Sequence, residues 1–191
     1  MRLNEQGHFF DESMPGAGTI LVAHPSMHDP NFARTVVFLT VHNPAQGSLG
    51  VVVNRALEKT LGEYDPELTD SPLADVPLYE GGPVASDKLI LAAWKWIEDE
   101  STFRLYFGID GEKAEKILKE DPEFEIRGFM GHAGWSEGQL DAELDQGAWV
   151  MSGWLPELQK KHGEAVWRSI LCHENPAMRV LTDVPEDPSV N

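Results

Sequence analysis

Two apolar runs separated by five residues limit what this chain can fold into more than anything else in it. Thr35-Val36-Val37-Phe38-Leu39-Thr40-Val41-His42 and Ser48-Leu49-Gly50-Val51-Val52-Val53-Asn54 flank the link Asn43-Pro44-Ala45-Gln46-Gly47. β-branched residues dominate both runs and turn formers make the link, so the pair reads as a β-hairpin. Neither run alternates apolar with polar residues. That predicts two strands covered on both faces and set centrally in a sheet. A simple helix bundle does not accommodate them, and 13 prolines and 17 glycines point the same way.

The remaining segments supply partners for that hairpin. Residues 19–23 form a short strand ended by His24-Pro25. Residues 56–62 predict a short helix, and 63–77 an acidic, proline-broken connection. Leu78-Tyr79-Glu80 leads into the turn Gly81-Gly82-Pro83-Val84. Residues 88–94 and 103–107 make a second hairpin around Glu98-Asp99-Glu100. Asp110 is placed to cap a helix over 111–119, and 124–130 returns as a strand. Ser136 followed by Gln139 fits a capping box for a helix through Leu144. A strand at 147–151 and helices at 156–161 and 164–172 follow. Residues 1–17 read as an N-terminal arm and 173–191 as a peripheral acidic tail. The expectation is one α+β domain spanning residues 1–191.

Charge narrows the function. The formal net charge is −17, from 32 acidic against 15 basic residues. Such a field repels phosphate backbones, and between Gly18 and Asp87 only Arg34, Arg55 and Lys59 oppose it. Direct nucleic-acid binding is disfavoured. The single cysteine, Cys172, excludes an internal disulfide and sits in a helical pattern as a buried structural thiol. The N-terminus lacks a signal-peptide pattern, and the apolar run 89–94 is far too short to span a bilayer. The expectation is a cytoplasmic protein with no membrane partner.

Residues 128–144 gather four glycines, Gly128, Gly131, Gly134 and Gly138, with His132 and Trp135 at a strand-to-helix passage. Glycine clusters mark backbone that takes positive φ or lies close to something, so this is either a binding corner or a tight structural one. Gly134-Trp135-Ser136-Glu137-Gly138 formally matches a nucleophile elbow. Only 55 residues follow Ser136, little for the rest of such a hydrolase, and a helix cap explains the serine with fewer assumptions. His24, His28 and Asp29, with His42 or His132, suggest metal ligands, but Pro25 prevents a helical pair and no spacing fixes a set. No metal and no cofactor are expected.

Arg34 and Arg55 each flank one strand of the central hairpin, and antiparallel pairing brings them near each other. With Asn54 beside them they suit bidentate capture of an anion. The simpler alternative is that they pair with carboxylates such as Asp29 and Glu80, pinning loops to the sheet. Gly81-Gly82-Pro83 lacks the residues of a phosphate loop and is most simply a tight turn. Most of the six tryptophans are core candidates; glycine-flanked Trp135 is the exception, suited to a cleft.

Several of these stretches together resemble one family. Gly18-Thr19-Ile20-Leu21-Val22-Ala23, Asp29-Pro30-Asn31-Phe32-Ala33-Arg34-Thr35-Val36-Val37, and His42-Asn43 with Gly47 to Arg55 resemble the N-terminal signature of the AlgH/YqgE proteins of bacteria. Gly81-Gly82-Pro83-Val84 and Gly134-Trp135-Ser136-Glu137-Gly138-Gln139-Leu140 complete the set, so the resemblance covers nearly the whole chain. It implies a bifurcated, mostly antiparallel β-sheet curled into a pseudo-barrel with peripheral helices. It carries the label of transcriptional regulator, which stems from an alginate-production phenotype, and no catalytic residues. His132 stands where the family usually has a tyrosine, and His24 where a threonine is common.

The functional expectation is a non-enzymatic protein that binds a small molecule or a protein partner, with a regulatory role. The candidate binding residues are Arg34, Asn54, Arg55, Gly82, His132, Trp135 and Gln139. One alternative is a hydrolase using His132 and Ser136. Another is a transcriptional regulator, acting indirectly given the net charge. The sequence leaves the oligomeric state open.

Overall fold

The computed structural model describes residues 14–97, 102–153 and 162–182. The central hairpin pairs β2 (Val36–Asn43) with β3 (Gly47–Val52), closing at Asn43 opposite Gly47 with an irregularity between Leu39 and Val41. β1 (Ile20–Ala23) lies against β2 and carries β9 (Trp149–Ser152) on its other edge. β6 (Val84–Ile97) and β7 (Thr102–Ile109) form the second hairpin, longer than residues 88–94 and 103–107 suggested. Its charged turn lies outside the described residues, as do the predicted helix at 156–161 and most of the N-terminal arm.

β8 (Glu125–Trp135) joins these parts. Leu78 of β5 (Pro77–Glu80) and Leu91 of β6 both lie opposite Gly128, so β5, parallel, and β6, antiparallel, occupy its two edges. Its last three residues, Ala133 to Trp135, pair with β3 instead. The sheet thus forks at β8 and curls into a half-barrel, with order β4-β5-β8-β3-β2-β1-β9 and β6-β7 branching off. The fold is α+β with peripheral helices, as expected.

Residues 56–62 differ from the expected helix. Ala56–Thr60 is strand β4 paired with β5, and only Leu61–Tyr64 is helical (α1). β4 is an exposed edge strand, so it carries none of the apolar alternation that betrays a half-buried one. α2 (Gly111–Glu120) begins where predicted, with the Asp110 carboxylate accepting from the Lys113 N–H at 2.8 Å. α3 (Gln139–Asp145) starts after Gly138, whose φ is +66°, so Ser136 is not its N-cap. α4 (Glu164–Glu174) buries Val166, Trp167, Ile170 and Leu171, and the Trp167 indole donates to the Ala23 carbonyl at 2.7 Å. Each such apolar burial stabilises the fold by about 1.5–3 kcal/mol. Cys172 is half-buried and unpaired. The start of the supposed tail is folded: α5 (Arg179–Thr182) buries Thr182, whose carbonyl accepts from Arg168 at 3.0 Å.

Three apolar clusters fill the molecule. α4 and the inner faces of β1, β2, β3 and β8 build the first, around Phe129 and Trp167. α2 closes the second against β6 and β8. Trp135, Trp149, Leu140 and the other faces of β1 and β2 make the third. Both faces of the central hairpin are therefore covered, but only over its base. At its far end Val41 and Leu49 are exposed, at 49% and 44%.

Candidate functional site

The link from β5 to β6 is residues 81–83, and its ends lie on opposite edges of β8, so it crosses over that strand. The crossing leaves no room for side chains. A Cβ on Gly81 would sit 2.2 Å from the Gly131 carbonyl oxygen, and one on Gly82 2.3 Å from the His132 carbonyl carbon. One on Gly131 would meet the Gly82 oxygen at 2.4 Å, and Gly131 also has φ +72°. The glycines of the turn and of the corner are two sides of one backbone contact.

The arginines are engaged with the protein itself. Arg55 donates to the carbonyls of Pro30 (3.0 Å), Asn31 (3.0 Å) and Ala33 (3.1 Å), and reaches Glu80 at 3.4 Å. It clamps the loop that precedes β2. Arg34, at φ +56°, pairs with Glu164 of α4 at 2.6 Å and lies 5.8 Å from the centre of the Trp167 ring. Among the described residues its carboxylate partner is Glu164 and not Asp29. Buried Asn54 accepts from the Val36 N–H (2.8 Å) and donates to the carbonyls of Arg34 (3.0 Å) and Gly163 (3.1 Å). The hairpin does bring Arg34, Asn54 and Arg55 together, around this loop.

The same loop reaches the corner. Phe32 stacks on Trp135 with centroids 6.3 Å apart and meets Trp149 edge-on at 5.7 Å. Trp135 is only 6% exposed, so it stands in the core. Its indole N–H and that of Trp149 both donate to Glu143 Oε2, at 2.9 and 2.7 Å. Gln139 donates to the other oxygen of Glu143 at 2.9 Å and accepts from the Ser136 N–H and hydroxyl, each at 3.0 Å. The Gln139 half of the capping box is thus present without the serine half. Glu143 was invisible in the sequence because nothing in its helix spacing marks it as the acceptor for two tryptophans.

Arg127 was missed as well. It is buried between the rings of Tyr79 and Trp94, at 4.8 and 4.6 Å, and its Nε donates to Glu125 at 2.5 Å. Its one signal is a cation at an inward position of an otherwise apolar strand. Burial raises the Tyr79 pKa above 10.0, opposed by the Arg127 charge and aided by that of Glu125. The folded protein then holds this proton after the unfolded chain has lost it. Stability from Tyr79 is complete below pH 10.0 and falls as pH rises above it. Difference absorbance of native protein should show one late-titrating phenol that Tyr79→Phe removes; three phenols titrating together contradict this.

The opposite face of the corner is open. By strand alternation His132 and Gly134 point away from buried Ala133 and Trp135. His132 is half-buried opposite Val84, which is 44% exposed. A Cβ on Gly134 would lie 3.8 Å from both Leu49 and Val84, and Val41 stands opposite Leu49. Val41, Leu49, Gly134 and Val84 therefore form one solvent-facing apolar strip across four strands. Beyond His132 on β8, Met130 lines a depression of about 330 Å³ with Leu57, Tyr64 and Glu80. Among the described residues, no three His, Cys, Asp or Glu side chains converge as a metal site.

Comparison with known proteins agrees with this architecture. The AlgH-like family model matches residues 20–178. The chain belongs to the AlgH-like family. Among relatives, a UPF0301 protein of Thermobifida fusca is 34% identical over 187 residues, covering 91% of this chain and 94% of its own. One from Chlorobium luteolum is 31% identical over 192 residues, covering 97% and 100%. The solution structure of the AlgH protein of Pseudomonas aeruginosa superposes with a TM-score of 0.63 at 28% identity, over 90% of this chain and 95% of that one. A Corynebacterium diphtheriae protein gives 0.68 at 25%, over 90% and 93%. The AlgH-like chain described here shares their fold across nearly its full length. No helix among its described residues is long and apolar enough to cross a membrane.

Proposed function

We propose that this protein works by binding a protein partner through the strip Val41–Leu49–Gly134–Val84, in the cytoplasm and without catalysis of its own. The observation that carries the reading is the strip itself: three large apolar side chains at 44–49% exposure, contiguous across neighbouring strands. Scattered exposed apolar residues need no explanation, whereas a contiguous row marks an interaction surface. Of the candidate residues, His132 stands at the edge of this surface. Gly82 shapes the crossing behind it, and Arg34, Asn54, Arg55, Trp135 and Gln139 hold the sheet and loop that present it.

A regulatory effect on transcription reaches the gene through that partner and not through DNA. A net charge of −17 opposes phosphate contact, and the two arginines nearest the loop are paired with Glu164 and Glu80.

A photo-crosslinking residue at position 49, expressed in cells, is expected to give a discrete protein adduct. The same residue at position 180, whose valine is 77% exposed, gives none. Equal, diffuse labelling at both positions would show that the strip is not a binding surface.

A further inference from the structure

Among the described residues, two of the three non-glycine residues with left-handed backbone stand on either side of one depression. They are Glu58 (φ +52°) in β4 and Ala85 (φ +48°) in β6; the third, Arg34, belongs to the loop before β2. Neighbouring strands run β4-β5-β8-β6 here, so the two residues sit on the first and last of the four. Each coincides with a shift in pairing register, one between Ala56 and Thr60 and the other between Val84 and Leu89. An L side chain adopts that backbone only at a cost, and such strain gathers at ligand sites. Bulges likewise re-aim side chains beside functional sites. The residues next to the strained ones, Leu57 and Lys59 on β4 and Ser86 on β6, line the depression of about 330 Å³ over Met130.

The lining selects a chemistry. Leu57 and Tyr64 are 39% and 46% exposed, and with Met130 and buried Leu78 they supply an apolar surface. The volume falls at the small end of the range for small-molecule sites. Two charges of opposite sign, Lys59 and Glu80, face the same space. Among the described residues Lys59 makes no hydrogen bond or ion pair, and the Glu80 carboxylate reaches only Arg55, at a long 3.4 Å. The two do not pair with each other. An anion would meet Glu80 and a net charge of −17, and a cation would meet Lys59. A zwitterion answers both charges, its carboxylate toward Lys59 and its ammonium toward Glu80.

We infer, independently of the partner-binding reading above, that this depression binds an apolar α-amino acid. Its side chain lies on Leu57, Tyr64 and Met130, its carboxylate on Lys59 and the Ser86 hydroxyl, and its ammonium on Glu80.

Three compounds with the same branched apolar end test this: L-leucine, isocaproate, which lacks the ammonium, and isoamylamine, which lacks the carboxylate. Titrated into the full chain, L-leucine is expected to move the amide resonances of residues 57, 59, 64, 86 and 130. It should bind roughly tenfold more tightly than either analogue, about 1.4 kcal/mol. Lys59, Glu80 and Leu57 are exposed, so their variants should melt close to the wild type. Lys59→Gln and Glu80→Gln should each weaken leucine by about that factor, Leu57→Ser should also weaken it, and Lys59→Arg should retain it. In Lys59→Gln leucine should bind no better than isoamylamine does, and in Glu80→Gln no better than isocaproate, a pattern that general loss of stability does not produce. Isocaproate or isoamylamine binding as tightly as leucine would overturn the zwitterion. Binding unmoved by Lys59→Gln and Glu80→Gln, or no binding of either L-leucine or L-phenylalanine, overturns the site itself.

Discussion

Replacing Gly131 with alanine is expected to cost about 2–5 kcal/mol, a large part of the 5–15 kcal/mol that holds a typical domain together. Two effects add. A non-glycine residue at φ +72° costs about 1–2 kcal/mol. The new Cβ also lies 2.4 Å from the Gly82 oxygen and 2.9 Å from the Val84 oxygen. Both are backbone atoms, one in the crossing link and one at the start of β6, so neither can swing aside, and forced overpacking costs about 1–3 kcal/mol. Gly82→Ala should behave alike, since its Cβ would sit 2.3 Å from the His132 carbonyl carbon. Gly134→Ala, three residues along the same strand, is the internal control and should leave stability unchanged or slightly raised. Urea titrations of the three variants check the ordering. If Gly131→Ala unfolds at the wild-type midpoint, the crossing is looser than described.

Glu143→Ala is expected to destabilise the protein by about 2–4 kcal/mol. Trp135 and Trp149 are 6% and 4% exposed, and both indole N–H groups depend on the same carboxylate oxygen. Removing it leaves two buried donors unsatisfied at about 1–3 kcal/mol each, with partial relief from water at the edge of the site. Glu143→Gln keeps an acceptor and should lose about half as much, because charge-assisted bonds are roughly twice as strong as neutral ones. Tryptophan emission should shift red in the alanine variant before any global unfolding, since the two indoles gain water. Alanine and glutamine variants of equal stability would mean that helix packing, and not the shared carboxylate, holds the two rings.

How much of this could be read beforehand depended on how local the signal was. The hairpin of β2 and β3 and the helix after Asp110 were legible because each pattern is contiguous in the chain. β4 was not, because an exposed edge strand has no apolar face to alternate. Gly81 and Gly82 read as a tight turn, and Gly131 belonged to a cluster marking positive φ or a close approach; neither named its partner, because each is explained by the other, fifty residues away. Trp135 misled for a related reason. Flanking glycines suggested an open cleft, whereas strand alternation turns the indole inward and gives the opposite face to Gly134. The apolar character of Val41 and Leu49 was plain, but their exposure was not, because the hairpin outruns the helices and loops that cover its base.

The fork at β8 also sets an order for making the molecule. Gly50 and its partner Ala133 lie 83 positions apart, and Ile20 and Ser152, 132 positions apart. At about 5–20 residues per second, β3 leaves the ribosome with one edge bare for about 4–17 s before its partner exists. β8 cannot be bypassed, since β5, β6 and β3 all take their register from it. The N-terminal half is therefore not a folding unit on its own. While the chain grows, its most apolar hairpin waits as an open sheet edge, the form in which a strand is most prone to pair with the wrong chain. Newly made protein is vulnerable until residue 135 has emerged from the ribosome.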